Sequence, residues 1–143
     1  MVKLILKRTN RIRESKDLTI LTEPDTPARF AKKHSRDMGQ YGLYSHAGPG
    51  DRSAGERMQY ISSNCGGAAS ENIHTAPLSR NVRIYGGSEI VNVYSESELA
   101  KYSVEGWMNS DGHRENMLDS RWSRTGVGVY VADDSVFITI VFC

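Results

Sequence analysis

The sequence predicts an α+β sandwich in which helices and strands follow one another without regular alternation. Three helical patterns precede the first strand pattern, and a fourth lies between a strand hairpin and two final strands. A doubly wound sheet would require helices and strands to alternate, so that class is excluded. The chain has 143 residues, of which 38% are hydrophobic and 24% charged, as in a soluble globular protein. We therefore expect residues 1–143 to form a single domain.

The first two helices are predicted from apolar spacing and from the residues at their ends. Residues 2–16 carry an imperfect apolar stripe among many lysines and arginines. The second helix is expected to have Asp25 or Thr26 as its N-terminal cap, because Pro27 suits a first turn, and to end at Gly42.

Two further helices and a turn are predicted. A short helix is expected from about residue 51 to 60. A Ser95…Glu98 capping box predicts the start of a longer helix that buries Trp107. The polar stretch DGHRENML, residues 111–118, is interpreted as a turn that follows this helix.

The strands are predicted from alternating, β-rich runs. Residues 71–75 form a short candidate strand, and residues 81–94 form a hairpin around the Gly-Gly pair at 86–87. Residues 125–143 are expected to form two strands joined by the Asp-Asp pair at 133–134.

Charge and hydropathy exclude several classes of function. The formal charge is +1 with acids and bases well mixed, so no nucleic-acid partner is expected. No apolar run is long enough to span a bilayer. The N-terminal stretch MVKLILKRTNRIRESKD lacks the continuous apolar core and cleavage site of a signal peptide. A leader or membrane anchor would therefore lie outside this sequence.

The two cysteines leave two interpretations open. Cys65 follows a helical segment and Cys143 is the last residue, where packing is a poor reason for a cysteine. Either they form a disulfide that holds the C-terminal strand, or they are two free thiols. Their number and spacing fit no zinc motif.

Three groups in polar loops are candidates for chemistry. His46 lies in a Gly/Pro loop and His113 directly follows Gly112, so both imidazoles are expected to be exposed. Two loop histidines with a carboxylate such as Glu71 would suit Zn²⁺, Cu²⁺ or Ni²⁺, whereas the alternative is two ordinary surface histidines. Glu71 could equally be a general base or a solvated side chain.

The other two histidines are given structural roles. His34 falls on the apolar stripe of the second helix, so we expect a buried, hydrogen-bonded imidazole. His74 follows Glu71 by three residues, and in a strand that spacing places the two side chains on opposite faces.

Several motifs, taken together in their order, resemble the CAP superfamily. They are AKKHSRDM, YSHAGPGD, RM, SENI, VEGWMNSDGHRENML and TGVGVY…ITIVFC. This SCP-like group includes cysteine-rich secretory proteins, antigen 5 and the plant pathogenesis-related class 1 proteins. The similarity is greatest to its bacterial and archaeal branch and extends from about Leu4 to Cys143.

The resemblance implies a three-layer α-β-α sandwich with a central, mainly antiparallel sheet. It also implies a cleft lined by two histidines and two acids, and such clefts hold a divalent metal, usually zinc. At the positions of this sequence that match the family motifs, the histidines are His46 and His113 and the first acid is Glu71. Ser110 occupies the position of the second acid. The implied metal ligands are therefore His46, His113 and Glu71.

This sequence departs from the family pattern around the cleft. Ser70 stands where the G-E-N motif has glycine. Because Ser110 replaces the second acid, a ligand charge is lost, and Asp111 or Glu105 would have to substitute for it.

The resemblance leaves three functions open. The first is a secreted or surface-exposed, monomeric binding domain whose cleft receives a lipid, a peptide or another cell-surface ligand. The second is a metal-assisted hydrolase with Glu71 as base, or a metal-free one with Ser45 or Ser110 as nucleophile. The third is a non-catalytic interaction module that uses the hairpin at 81–94. The resemblance also implies an extracellular or cell-surface location, which is usual for members of this family.

Overall fold

A computed structural model describes residues 1–50, 53–83 and 89–143. Its elements in chain order are helices α1 (Val2–Glu14), α2 (Asp25–Tyr41) and α3 (Ala54–Asn64), strands β1 (Ser70–Pro77), β2 (Ser79–Arg83) and β3 (Glu89–Val93), helices α4 (Glu96–Met108) and α5 (Asp111–Leu118), and strands β4 (Thr125–Ala132) and β5 (Ser135–Phe142). In this part of the chain, no helix is long and apolar enough to cross a membrane.

The central sheet is antiparallel, with β5 between β1 and β4. Glu71 pairs with Val141 on one side of β5, and Gly126 pairs with the same residue on the other. Strands β2 and β3 form a separate antiparallel pair, as the hairpin pattern predicts. The predicted Gly86-Gly87 turn of that hairpin lies outside the described residues.

Helices cover both faces of this sheet, which confirms the α+β sandwich. On β5, Ile138 and Ile140 belong to the larger apolar core, which also contains residues of α1 and α4. The alternate residue Thr139 faces the other way, and its hydroxyl accepts a hydrogen bond of 2.9 Å from Ser35 on α2. Because neighbouring strand residues point to opposite faces, one strand connects the two helical layers.

Two glycines of β4 allow α2 to lie directly on the sheet. A Cβ at Gly126 would overlap the backbone of Pro27 and Ala28, and one at Gly128 would overlap the carbonyl of Ala31. Any side chain at either position would separate the helix from the strand. The TGVGVY motif therefore sets the distance between α2 and the sheet.

Most predicted elements are confirmed, but the prediction of a turn at 111–118 is wrong. These residues form α5, in which the Arg114 N–H donates to the carbonyl of Ser110 (2.8 Å). Met117 is the buried residue of this helix. With so small an apolar face, the helical period is absent from the hydrophobic pattern.

Two boundaries also differ from the prediction. Helix α3 begins at Ala54 behind a capping box formed by Ser53 and Glu56, and it continues to Asn64. In α2, Asp25 is the first helical residue, with Pro24 at the cap. Terminal residues are the part of a helix that sequence patterns define least well.

Arg13 holds the segment after α5 against the end of α1. Its side chain is fully buried and donates hydrogen bonds to the carbonyls of Thr19, Met117, Asp119 and Trp122, at 2.8–3.1 Å. Burial lowers the pKa of this guanidinium, and the nearby carboxylate of Asp119 opposes that effect. Through these four hydrogen bonds Arg13 fixes the chain between α5 and β4 against the end of α1.

The two cysteines form a disulfide, which resolves the two interpretations left open by the sequence. Cys65 ends α3 and Cys143 follows β5, and the bond joins them across 78 positions of sequence. It attaches α3 to the central strand, next to the start of β1. A crosslink that closes a long loop stabilises the fold chiefly by restricting the unfolded chain.

We predict that Gly128→Ala lowers the free energy of unfolding by about 3 kcal/mol, because the new methyl group must push α2 away from β4. Gly112→Ala is the matched control, since a Cβ there meets no atom within 4 Å. Urea unfolding at neutral pH measures both variants. A Gly128→Ala protein as stable as the control would show that α2 does not depend on this close contact.

Candidate functional site

Glu71, at the start of β1, is a buried carboxylate paired with an arginine. Its side chain is 1% exposed, and both oxygens face the guanidinium of Arg57 on α3. The Arg57 Nη2 donates to Glu71 Oε2 at 2.9 Å, and Nη1 donates to Oε1 at 3.2 Å. A buried carboxylate needs such compensation, and the fork of arginine provides it at two points.

His46 is held against this ion pair by its own hydrogen bond. The His46 Nδ1 lies 3.0 Å from Glu71 Oε1, and because a charged carboxylate only accepts, Nδ1 carries the proton. In the neutral imidazole, Nε2 then presents a lone pair. Arg57 also donates to the backbone carbonyl of His46, which fixes the loop. The imidazole remains 41% exposed, so Nε2 is available to a ligand.

His34 lies behind the same carboxylate, on α2. Its side chain is 1% exposed, and Nε2 donates to the carbonyl of Ser45 at 2.9 Å. The prediction of a buried, hydrogen-bonded histidine is confirmed. In addition, Nε2 is 3.7 Å from Glu71 Oε1, a contact between distant parts of the sequence that the helical pattern does not predict. His34 is therefore part of the site, although the spacing along α2 indicates only its burial.

The charges of this cluster are fixed by its hydrogen bonds. Burial acts to raise the pKa of Glu71, but hydrogen bonds from His46 and Arg57 and the charge of Arg57 lower it below the usual value. Burial lowers the pKa of His34, and the charge of Glu71 only partly offsets this. At neutral pH, Glu71 is charged and His34 is neutral.

His113 is positioned by asparagines that join α5 to β1. Asn72 donates to the carbonyl of His113 at 3.0 Å, and Asn116 donates to the side-chain oxygen of Asn72 at 2.8 Å. Burial lowers the pKa of His113, and so does the charge of His46 when that ring is protonated, which places the two imidazoles within range of each other. That they line one cleft stays a prediction.

His74 lies close enough to His113 for their charges to interact. It packs edge-on against Trp107, with ring centroids 6.4 Å apart. Burial and the nearby His113 both lower its pKa. It is on the face of β1 opposite Glu71, as its spacing predicts, but its proximity to His113 is evident only in the folded chain.

Among the described residues, the side chains of the remaining candidates make no hydrogen bond to this cluster. Ser110 caps α5 without a side-chain cap bond. The hydroxyl of Ser45 accepts from the Ala47 N–H at 3.1 Å, although its backbone carbonyl accepts from His34. Asp111 pairs with Arg114, and Glu105 lies 3.9 Å from Lys101. In the part of the chain that the structure describes, neither serine hydroxyl bonds a histidine side chain and neither acid replaces the absent one.

The described residues do not fit a metal centre built from protein side chains alone. Across residues 1–50, 53–83 and 89–143, no group of three or more His, Cys, Asp or Glu side chains could hold a metal ion. The oxygens of Glu71 are already engaged by Arg57 and His46. Ligation by His46, His113 and Glu71 together stays a prediction.

A family model, described as the cysteine-rich secretory protein family (CAP), matches residues 6–143. The uncharacterized membrane protein YlbC of Bacillus subtilis is 31% identical over 89% of this chain, which corresponds to 31% of that protein. A crystal structure of an extracellular protein containing a SCP domain, from Bacillus anthracis, is 29% identical, with a TM-score of 0.67 over 99% of this chain and 39% of that one. This chain spans less than half the length of either protein.

A more distant likeness is to a crystal structure of NaASP2 with Zn²⁺. It is 11% identical, with a TM-score of 0.65 over 98% of this chain and 77% of that one, and so shows the fold alone. The family model and these neighbours agree with the α-β-α layers around the central antiparallel sheet. This chain belongs to the CAP family of cysteine-rich secretory proteins.

Proposed function

We propose that residues 1–143 form a non-catalytic, extracellular or cell-surface binding domain whose cleft recognises a ligand through His46 and His113. The observation that carries this proposal is the hydrogen bond from His46 Nδ1 to the buried Glu71 carboxylate. It fixes the ring and leaves Nε2 at an exposed position. The extracellular SCP-domain protein of Bacillus anthracis supports the location.

The chemistry of the cleft favours ligands that donate a hydrogen bond. In its neutral form His46 offers Nε2 as an acceptor, and burial favours the neutral form of His113. A hydroxyl or an amide N–H of a lipid or peptide would suit these groups. Glu71, Arg57 and His34 form the rigid base beneath them and need not contact the ligand.

The state of Glu71 supports binding over hydrolysis. A general base works best when its pKa is close to the working pH, whereas hydrogen bonds from His46 and Arg57 lower the pKa of Glu71 below its usual value. Accepting a proton would also weaken the buried ion pair with Arg57. The metal-assisted hydrolase is therefore the weaker alternative.

We predict that soluble fragments reveal which ligand class the cleft accepts. The probes are N-acetylated tripeptide amides and short-chain monoglycerides, titrated while the imidazole signals are followed by NMR. One class should shift the signals of His46 and His113. Its affinity should fall about tenfold in His46→Ala and in His113→Ala, as expected for the loss of one well-placed hydrogen bond.

Glu105→Gln, an exposed substitution on α4, is the control and should bind as the unsubstituted protein does. Binding that survives both histidine substitutions would overturn the proposed cleft. Shifts that map away from both imidazoles would do the same.

Zinc is a ligand to test separately, because a fold neighbour was crystallised with Zn²⁺. Because Arg57 holds Glu71, we predict no one-to-one zinc binding tighter than about 1 μM in protein first treated with chelator and then dialysed. Isothermal titration of the unsubstituted protein, His46→Ala and His113→Ala measures this. A single tight site lost in both variants would contradict the prediction and establish His46 and His113 as metal ligands.

The buried cluster predicts how stability depends on pH. The pKa of His34 is lowered from the usual 6.5 in the folded protein, so the unfolded chain binds the proton more tightly. Stability should fall as pH drops below 6.5. It should fall further below 4.5, the usual pKa of glutamate, as Glu71 becomes protonated. Urea midpoints from pH 8 to 4 measure this, with His34→Gln expected to reduce the upper step. A midpoint that rises on acidification would contradict these assignments.

A further inference from the structure

A cavity of about 900 Å³ lies between α2 and α3, outside the cleft described above. Its walls include Arg29, Phe30, Lys33 and His34 of α2, with Arg57 and Tyr60 of α3. His46, Glu71 and His113 are not among its lining residues. Its volume is within the range of natural small-molecule sites.

Two aromatic rings give this cavity a surface for a flat group. Phe30 and Tyr60 meet edge to face, with ring centroids 5.8 Å apart. Tyr60 is 63% exposed, so its ring is accessible from the cavity. The adjoining wall contains the buried Ile61. An aromatic ligand could pack on this pair in the offset or edge-on arrangements that aromatic rings prefer.

One cation at the cavity has no acidic partner among the described residues. Lys33 pairs with Asp37 at 2.5 Å, and Arg57 pairs with Glu71 at 2.9 Å. Arg29 has no such ion pair in the described part of the chain, and its guanidinium lies 5.7 Å from the centre of the Phe30 ring. A positive charge therefore stands directly beside the aromatic pair.

We propose that the α2–α3 cavity is a second binding site, for an aromatic carboxylate. The ring lies against Phe30 and Tyr60, and the carboxylate pairs with Arg29. The same chemistry occurs in free hydroxyaryl acids and in a peptide that ends in tyrosine, and the test separates these sources. This proposal does not depend on ligand binding in the His46/His113 cleft.

The test is an NMR titration of the ¹⁵N-labelled protein with 3-(4-hydroxyphenyl)propionate. Its uncharged amide serves as the ligand control. Saturable shifts should appear in α2 and α3, with the amide binding about tenfold more weakly because it lacks the charge that pairs with Arg29. A peptide, acetyl-Gly-Gly-Gly-Tyr with a free carboxylate, is titrated in parallel. Tighter binding of the peptide identifies a chain terminus as the source, and tighter binding of the free acid identifies a small metabolite.

Matched substitutions locate the site. Arg29→Gln should weaken binding of the acid about tenfold, whereas Arg36→Gln, an exposed arginine on the same helix outside this cavity, should leave it unchanged. Tyr60→Ala should weaken it about fivefold, and Tyr41→Ala, 65% exposed in the parent chain, is its control. No saturation of either probe by about 5 mM would overturn the proposal. Equal loss in the control variants, or equal binding of the amide, would overturn it too.

Discussion

The need to compensate the buried charge of Glu71 organises the candidate site. A carboxylate that is 1% exposed at the start of a strand would be costly without partners. Arg57 supplies the opposite charge, and His46 supplies a further hydrogen bond. These partners come from α3 and from the loop after α2, so one carboxylate joins both to β1. The same contacts fix the tautomer of His46. The hydrogen bond that helps to compensate the charge of Glu71 is therefore also the one that orients the exposed imidazole.

That arrangement also requires α2 to lie close to the sheet. Gly126 and Gly128 remove the side chains that would separate them, and the hydroxyl of Ser35 then reaches Thr139 on β5 at 2.9 Å. His34, next to Ser35, comes within 3.7 Å of Glu71 as a result. Gly126 and Gly128, on an edge strand, thus determine where His34 of the opposing helix lies. The arrangement of the site therefore depends on how α2 packs on the sheet.

The sequence predicts the helices and strands well because they follow from periodicity. Loop position makes His46, Glu71 and His113 candidates, and the family resemblance assigns them to one cleft. The role of Arg57 is missed, because an arginine in a short helix is usually exposed. Two signals were available: Arg57 belongs to the RM pair of the family pattern, and it lies four residues before the buried Ile61, on the same helical face. Helix α5 is missed because it buries so little. In both cases the structure of the segment depends on polar contacts between residues far apart in the sequence, and local patterns do not encode such contacts.

The ion pair of Glu71 and Arg57 also separates two surfaces with different chemistry. On one side it supports His46, whose exposed nitrogen carries no fixed charge while the ring is neutral. On the other side Arg57 and His34 form part of the α2–α3 cavity. Arg57 contributes little net charge there because Glu71 neutralises it, so attraction for an anion must come from Arg29, which has no acidic partner in the described chain. One wall can therefore border both the proposed hydrogen-bonding cleft and the proposed anion-binding cavity. The charge that each ligand meets is set by residues outside that wall.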